Sequence, residues 1–313
     1  MTSESPLNTN NPLLAHRMGL GTWQMGESSR TRQQEIAAIE LALDIGYRLI
    51  DTAEMYGNGR SEEIVGEALR RFGAARRSEI AVVSKVLPSH ASKAGAIAAC
   101  ERSLARLQCD YLDVYLLHWQ GSYSYEETLE AFHCLHERGM IRAWGVSNFD
   151  AEDFAQWQRV ERQHPKKVSL VTNQVYYALS ARGVEFDLLP AMQEQGLPLM
   201  AYSPLGCGEL SRHPRLQTLA KELGLTASQL ALAWLLNKPG VIPIPKSANP
   251  ERIRENWLFI TKGGQRYSLN LFLRRNRFNG GNTDVPEQFY IGVIQCAGGS
   301  GGPWPRHSRL GWA

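Results

Sequence analysis

Eight short apolar runs of strand-like composition lie between residues 18 and 247, separated in the main by stretches with helical spacing, and this alternation leaves few architectures open. The runs are "MGLGTW" (18–23), "YRLIDTA" (47–53), "IAVVSKV" (80–86), "LDVYLLH" (112–118), "RAWGVSN" (142–148), "LVTNQV" (170–175), "PLMAYSP" (198–204) and "VIPIPKS" (241–247). Between them, "TRQQEIAAIELALDIG" sets Ile36, Ile39, Leu43 and Ile45 on a 3.6-like stripe, and "ASKAGAIAACERSLARLQ" does so with Ile97, Leu104 and Leu107. "SYEETLEAFHCLHERGM" and "TASQLALAWLLNKPG" supply two more helices, each expected to end at a glycine. Strands alternating with helices imply an α/β fold with a parallel sheet, and eight such units fit a closed (β/α)8 barrel. A doubly wound sheet would need a nucleotide-binding GxGxxG after its first strand, which "GLGTW" does not provide.

The chain has 313 residues, 43% apolar and 21% charged, as in an ordinary globular protein. Its net charge of +3 comes from residues 257–313, which hold seven Lys/Arg against two Asp/Glu. The rest is slightly acidic, so no nucleic-acid partner is expected. Five widely spaced cysteines without CxxC suit reduced thiols in a cytoplasm. The opening "MTSESPLNTNNPLLAH" has no apolar core of a signal peptide, and no apolar run is long enough to span a membrane.

Three segments are expected: an N-terminal extension (1–17), the barrel (18–260) and a largely irregular basic tail (261–313). The last strong helix signal is "SANPERIREN", with Asn249 as cap, Pro250 at the first helical position and Glu251 in the first turn. After Asn256 the periodicity fails, and ten of the 28 glycines fall in residues 257–313.

Active sites of such barrels gather at the C-terminal ends of the strands. Those ends carry Asp51 and Tyr56 after the second run, Lys85 near the end of the third and His118 at the end of the fourth. Lys85 is expected to pair with Asp51 and, beside Tyr56, to lower the tyrosine pKa from its usual ~10 so that it serves as a general acid, with His118 directing a substrate oxygen. Each residue alone also admits a plainer role: a structural ion pair, a solvated tyrosine, a buried histidine satisfied by its neighbours.

Later strand ends carry Ser147, Asn148, Asn173, Gln174, Tyr202 and Ser203, amides and hydroxyls suited to a neutral carboxamide, with an aromatic face for stacking; a nicotinamide fits. Lys246, Ser247 and Arg252 can gather phosphate at a helix N-terminus. Trp23 and Trp119 follow strand ends and can wall a small pocket. His133 and His136 lie three apart on a helix, but no closed ligand set accompanies them, so no metal is expected.

With these residues in place, the chain resembles the aldo-keto reductases, and within them the bacterial branch that reduces methylglyoxal and other small aldehydes. The stretches that carry the likeness are "GLGTWQMG", "LIDTAEMYGNG", "VVSKV", "YLDVYLLHW", "WGVSNF", "TNQVYY", "AYSPLG" and "IPIPKSANPERIREN", spanning residues 19–256. The resemblance implies an NADP(H)-dependent carbonyl reductase. Tyr56 would be the proton donor, Asp51 and Lys85 would tune it, and His118 would orient the carbonyl. Ser147, Asn148 and Gln174 would hold the carboxamide and Tyr202 would stack on the nicotinamide. Gly21, Thr22, Trp23 and Asp51 would also contact the cofactor. Ser203, Pro204, Leu205, Lys246, Ser247, Arg252 and Asn256 would line its phosphates, and Glu255 would accept from the adenine. Trp23, Tyr56, His118 and Trp119 would form the substrate pocket.

The chain departs from the family at its end. "WLFITKGGQRYSLNLFLRRNRFNGG" does not resemble the extra helix and covering loop expected there, and reads as a replaced or frame-shifted terminus. The implied partner is a small carbonyl compound, and the implied state a monomer that could associate through surface the tail leaves bare. Two other readings stand beside the reductase. One is an inactive or cofactor-binding barrel; the other is a barrel lyase or isomerase using Lys85 as a Schiff base, weakened because a lysine beside Asp51 stays protonated.

Overall fold

The eight runs form eight strands, most of them shorter than the runs. They are β1 (Leu20–Gly21), β2 (Leu49–Asp51), β3 (Ala81–Val86), β4 (Leu112–Leu117), β5 (Ile141–Ser147), β6 (Asn173–Tyr176), β7 (Leu199–Tyr202) and β8 (Val241–Pro243). All pair in parallel and in chain order. This computed structural model describes residues 11–27, 30–166, 168–261, 267–268 and 294–295.

Helices α1 (Arg32–Ile45), α2 (Arg60–Phe72), α3 (Lys93–Leu107), α4 (Tyr125–Glu137), α5 (Ala151–Gln163) and α6 (Leu188–Glu194) follow the first six strands. The seventh is followed by α7 (Glu209–Arg212), α8 (Pro214–Glu222) and α9 (Ala227–Leu236), and the eighth by α10 (Pro250–Thr261). Side-chain caps set where they begin. Thr31 and Thr226 form capping boxes with Gln34 and Gln229, and Ser92, Ser124 and Asp150 accept from the first turns of α3, α4 and α5. Asn249 caps α10 as expected, its Oδ1 accepting from the amides of Glu251 (2.8 Å) and Arg252 (3.2 Å). The glycines expected to end α4 and α9 sit beyond the caps, which are Arg138 and Asn237.

The sheet closes between its first and last strands by a narrow seam. Gly19 N donates to Pro243 O (3.0 Å) and Gly21 N to Pro245 O (3.1 Å), and a single bridge joins Gly21 to Lys246. Both proline nitrogens lack a hydrogen, so they cannot return a bond. Gly21 is required at this approach, since a Cβ there would lie 2.8 Å from Ile244 O.

The barrel is filled by Leu49, Val83, Val114, Leu116, Met200 and Ile242 among others. Leu13 joins them, fully buried, and Asn11 Nδ2 donates to Val171 O at 2.9 Å. Asn11 and Leu13, within the stretch read above as an extension, therefore pack into the barrel. At the other end, α10 runs past Asn256: the Trp257 ring packs on Tyr47 with centroids 4.5 Å apart, above Gly46, whose φ of 119° and lack of a Cβ admit the indole.

The fold has two compact units, Met1–Lys262 and Gly263–Ala313. In the second, Tyr267–Ser268 pairs antiparallel with Ile294–Gln295. The expected irregular tail and loss of the family's terminal helix otherwise lie outside the described residues. Among the described residues, no helix is long and apolar enough to cross a membrane.

Candidate active site

The strand ends converge as expected. Lys85, fully buried on β3, donates from Nζ to Asp51 Oδ1 and to Thr52 O, each at 2.8 Å, and lies 3.3 Å from the Tyr56 hydroxyl. Tyr56 reaches this position from a tight turn after β2 in which Gly57 (φ 59°) and Asn58 (φ 54°) are both left-handed. His118, which follows β4, packs edge-on to Tyr56 with ring centroids 5.9 Å apart.

The electrostatics differ from expectation at one residue. Burial raises the Tyr56 pKa above its ordinary 10; Lys85 pulls it down and Asp51 opposes Lys85, so burial prevails. The anticipated lowering is overturned, and the hydroxyl keeps its proton at neutral pH. Burial also acts to strip the proton from Lys85, but Asp51 and Tyr56 more than offset it and the pKa is raised. His118 is pushed down to about 3 by burial and by the Lys85 charge, so its ring is neutral. Its Nδ1 is buried without a hydrogen-bond partner.

A second network lies across the barrel mouth. Register places Ser147 of β5 beside Gln174 of β6, and Ser147 Oγ donates to Gln174 O (2.8 Å). Asn148, left-handed at φ 59°, donates from Nδ2 to His118 O (3.0 Å) and accepts from the Tyr202 hydroxyl (2.8 Å). Tyr202 stacks on Tyr176 at 5.8 Å and 16°. Gln174 Nε2 donates to Asp51 Oδ1, linking the two networks. Asn173 turns away, its Nδ2 donating to Phe149 O (2.9 Å).

Asp51, Tyr56, His118, Ser147, Asn148, Gln174 and Tyr202 line one cavity of about 980 Å³. Trp23, Met55 and Trp119 stand at its apolar part; Ser203, Pro204, Leu205, Lys246, Ser247, Arg252, Glu255 and Asn256 line the rest. Two expected residues lie beneath its surface. Lys85 is one, acting through its contacts. Thr22 is the other: fully buried, it donates from Oγ1 to Asp51 O (2.9 Å) and accepts from Ser61 Oγ (2.8 Å), so it anchors a loop. The Glu255 carboxylate accepts from Thr226 Oγ1. Sequence reasoning did not single out Met55, Arg30, Cys207 or Arg212, which also line the cavity. Met55 had a usable signal, since it adjoins Tyr56; Arg30 and Cys207 sit on connections without periodicity, and Arg212 ends α7, a four-residue helix too short to show one. The Lys246 pKa is lowered, first by burial and then by Arg30, with Glu35 opposing. Bringing an anion here would relieve that crowding. Among the described residues, no cluster of three or more metal-ligating side chains occurs.

A parallel eight-stranded barrel with an Asp, Tyr, Lys and His at one mouth defines a class, and the chain belongs to the aldo/keto reductase family, whose sequence pattern matches residues 17–260. The protein is therefore an oxidoreductase. It is 44% identical over 245 residues to methylglyoxal reductase YeaE of Escherichia coli (strain K12), covering 76% of this chain and 83% of that protein. It is 36% identical over 238 residues to a glyoxal reductase of Bacillus subtilis (strain 168), covering 76% and 80%. In structure it resembles an aldo-keto reductase from Klebsiella pneumoniae solved in complex with NADPH, with a TM-score of 0.72, 46% identity, and 78% and 85% of the two chains covered.

Proposed function

We propose that this enzyme reduces small aldehydes and ketoaldehydes, methylglyoxal among them, to alcohols with NADPH. The observation that carries the reading is the contact of Lys85 Nζ with both Asp51 and the Tyr56 hydroxyl at the floor of a cavity that Trp23 and Trp119 enter.

The residues present fit NADP(H). Ser147, Asn148 and Gln174 form a wired set of amides and a hydroxyl for the carboxamide, and Tyr202 offers a ring face beside them. Lys246, Ser247 and Arg252, with Asn256 nearby, suit a phosphate ester. The side chain of Glu255 faces the same part of the cavity and would take the adenine amine. Gly21, Trp23, Asp51, Ser203, Pro204 and Leu205 complete the wall. Hydride to the carbonyl carbon is what the bound nicotinamide supplies. Tyr56 and His118 sit where negative charge grows on the carbonyl oxygen: neutral His118 donates a hydrogen bond and fixes its direction, and Tyr56 transfers its proton. Lys85, held as an ammonium by Asp51, stabilises the phenolate that results. The same protonated Lys85 argues against Schiff-base chemistry.

The reading extends to a cytoplasmic monomer with reduced thiols. It is tested by following NADPH oxidation with methylglyoxal, beside Tyr56→Phe. The expected variant binds NADPH as the wild type does, by tryptophan fluorescence, and reduces on the order of 10²–10⁴-fold more slowly. Cofactor binding without turnover in the wild type would favour the cofactor-binding barrel instead.

A further inference from the structure

We infer that Glu27 is a positioning residue for the catalytic tyrosine, acting through a hydrogen bond to the backbone of the turn that carries Tyr56. This rests on the reductase reading above.

Two consecutive left-handed residues, Gly57 and Asn58, follow Tyr56. Asn58 occupies a conformation that costs a non-glycine residue free energy, and such a turn persists only when its surroundings hold it. Gly57 is buried, so its N–H needs a partner. The partner is Glu27 Oε1, from the connection between β1 and α1. A carboxylate accepting a backbone N–H is among the stronger hydrogen bonds.

That connection is itself fixed at Gly26. Its N–H donates to Glu35 Oε2 (2.8 Å) on α1, and its carbonyl accepts from Arg60 Nε (2.9 Å) at the start of α2. Its φ of 80°, and an added Cβ only 2.7 Å from the Arg60 Cβ, require glycine. The Gly26 peptide is thus held from both sides, and Glu27 projects from it onto the turn. Glu27 itself is an exposed residue, so its removal deletes a brace without opening a cavity in the core.

The Tyr56 hydroxyl is 3.3 Å from Lys85 Nζ, at the long edge of hydrogen-bond range, so a small rotation of the turn separates the proton donor from the ammonium that supports its phenolate.

The test compares Glu27→Ala, Glu27→Gln and Tyr56→Phe, alone and combined. Glu27→Ala is expected to lower kcat about tenfold or more, with KM and NADPH affinity little changed. Glu27→Gln keeps an oxygen acceptor and is expected to stay within about threefold of wild type. In the Tyr56→Phe background, Glu27→Ala should have no further effect, because there is no hydroxyl left to place. An unchanged kcat in Glu27→Ala, or an equal loss with and without the tyrosine hydroxyl, overturns the inference. Hydrogen exchange of the Gly57 amide in cofactor-free protein separates this from failure of the reductase reading. Protection that Glu27→Ala removes supports the brace whatever the substrate, and protection unaffected by that change overturns it.

Discussion

Gln174 and Asp51 are joined by a 2.6 Å hydrogen bond to the same carboxylate oxygen that takes the Lys85 ammonium at 2.8 Å. The residue suited to hold a carboxamide is thereby tied to the charge pair beneath Tyr56, and one oxygen serves both.

Asp51→Asn is therefore expected to be costly. It leaves a fully buried ammonium without its counter-charge, a change that destabilises by roughly 3–5 kcal/mol. Urea unfolding should show it as a lower midpoint at unchanged slope. Adding Lys85→Met should recover much of that stability while leaving reduction abolished, because the buried charge is gone but so is the support for the phenolate.

His118 should remain neutral through the physiological range. Its folded pKa of about 3 lies below the ordinary 6.5, so the unfolded chain takes up a proton that the folded one refuses. Stability is lost as pH falls from about 6.5 towards 3, at up to ~1.4 kcal/mol per unit from this group. An NMR titration should find the His118 ring resonance stationary between about pH 8 and 5, while an ordinary exposed histidine moves. A midpoint near the ordinary value would exclude the neutral hydrogen-bond donor.

Glu161 works in the opposite sense. Burial raises its pKa to about 7, against the hydrogen bonds its Oε1 accepts from Trp144 Nε1 (3.0 Å), Trp157 Nε1 (2.8 Å) and Leu170 N (2.8 Å). Here the folded chain keeps a proton that the unfolded one releases, so the wild type loses stability as pH rises from about 4.5 to 7. Relative to Glu161→Gln the loss should reach roughly 3 kcal/mol, read as the difference between the two unfolding curves at each pH. A pH-independent difference would show that the three N–H donors outweigh burial.

Lys246→Ala and Arg252→Ala should each weaken NADPH more than NADH, by on the order of tenfold or more, the worth of a charged hydrogen bond. Fluorescence titration with both cofactors distinguishes this from general damage, which would weaken the two alike.

Much of the site was legible because its residues interrupt apolar strands. Asp51, Lys85 and His118 are polar groups where a buried run ends, and only a functional or paired group stays there. Thr22 gives the same signal and yet turns inward to the Asp51 carbonyl, since a one-residue difference in direction at a short strand is not written in its neighbours. Leu13 sits in a stretch with no period and Trp257 comes where the period fails, so their packing, Leu13 in the barrel core and Trp257 on Tyr47, depends on residues remote in sequence. The direction of the Tyr56 pKa is not legible in the sequence, because Lys85 is visible there but the depth of burial is not.

The seam at Gly19 and Gly21 has a consequence for how the ring is kept shut. It is stitched by amides of one edge to carbonyls of the other, between residues separated by almost the whole barrel sequence, so it is the junction whose closure demands the most chain entropy. Gly21 and Lys246, its facing partners, both border the cavity. A guest lying across them acts as a clasp on the ring, and the fully formed barrel becomes the form that occupancy selects, its melting temperature climbing with guest concentration.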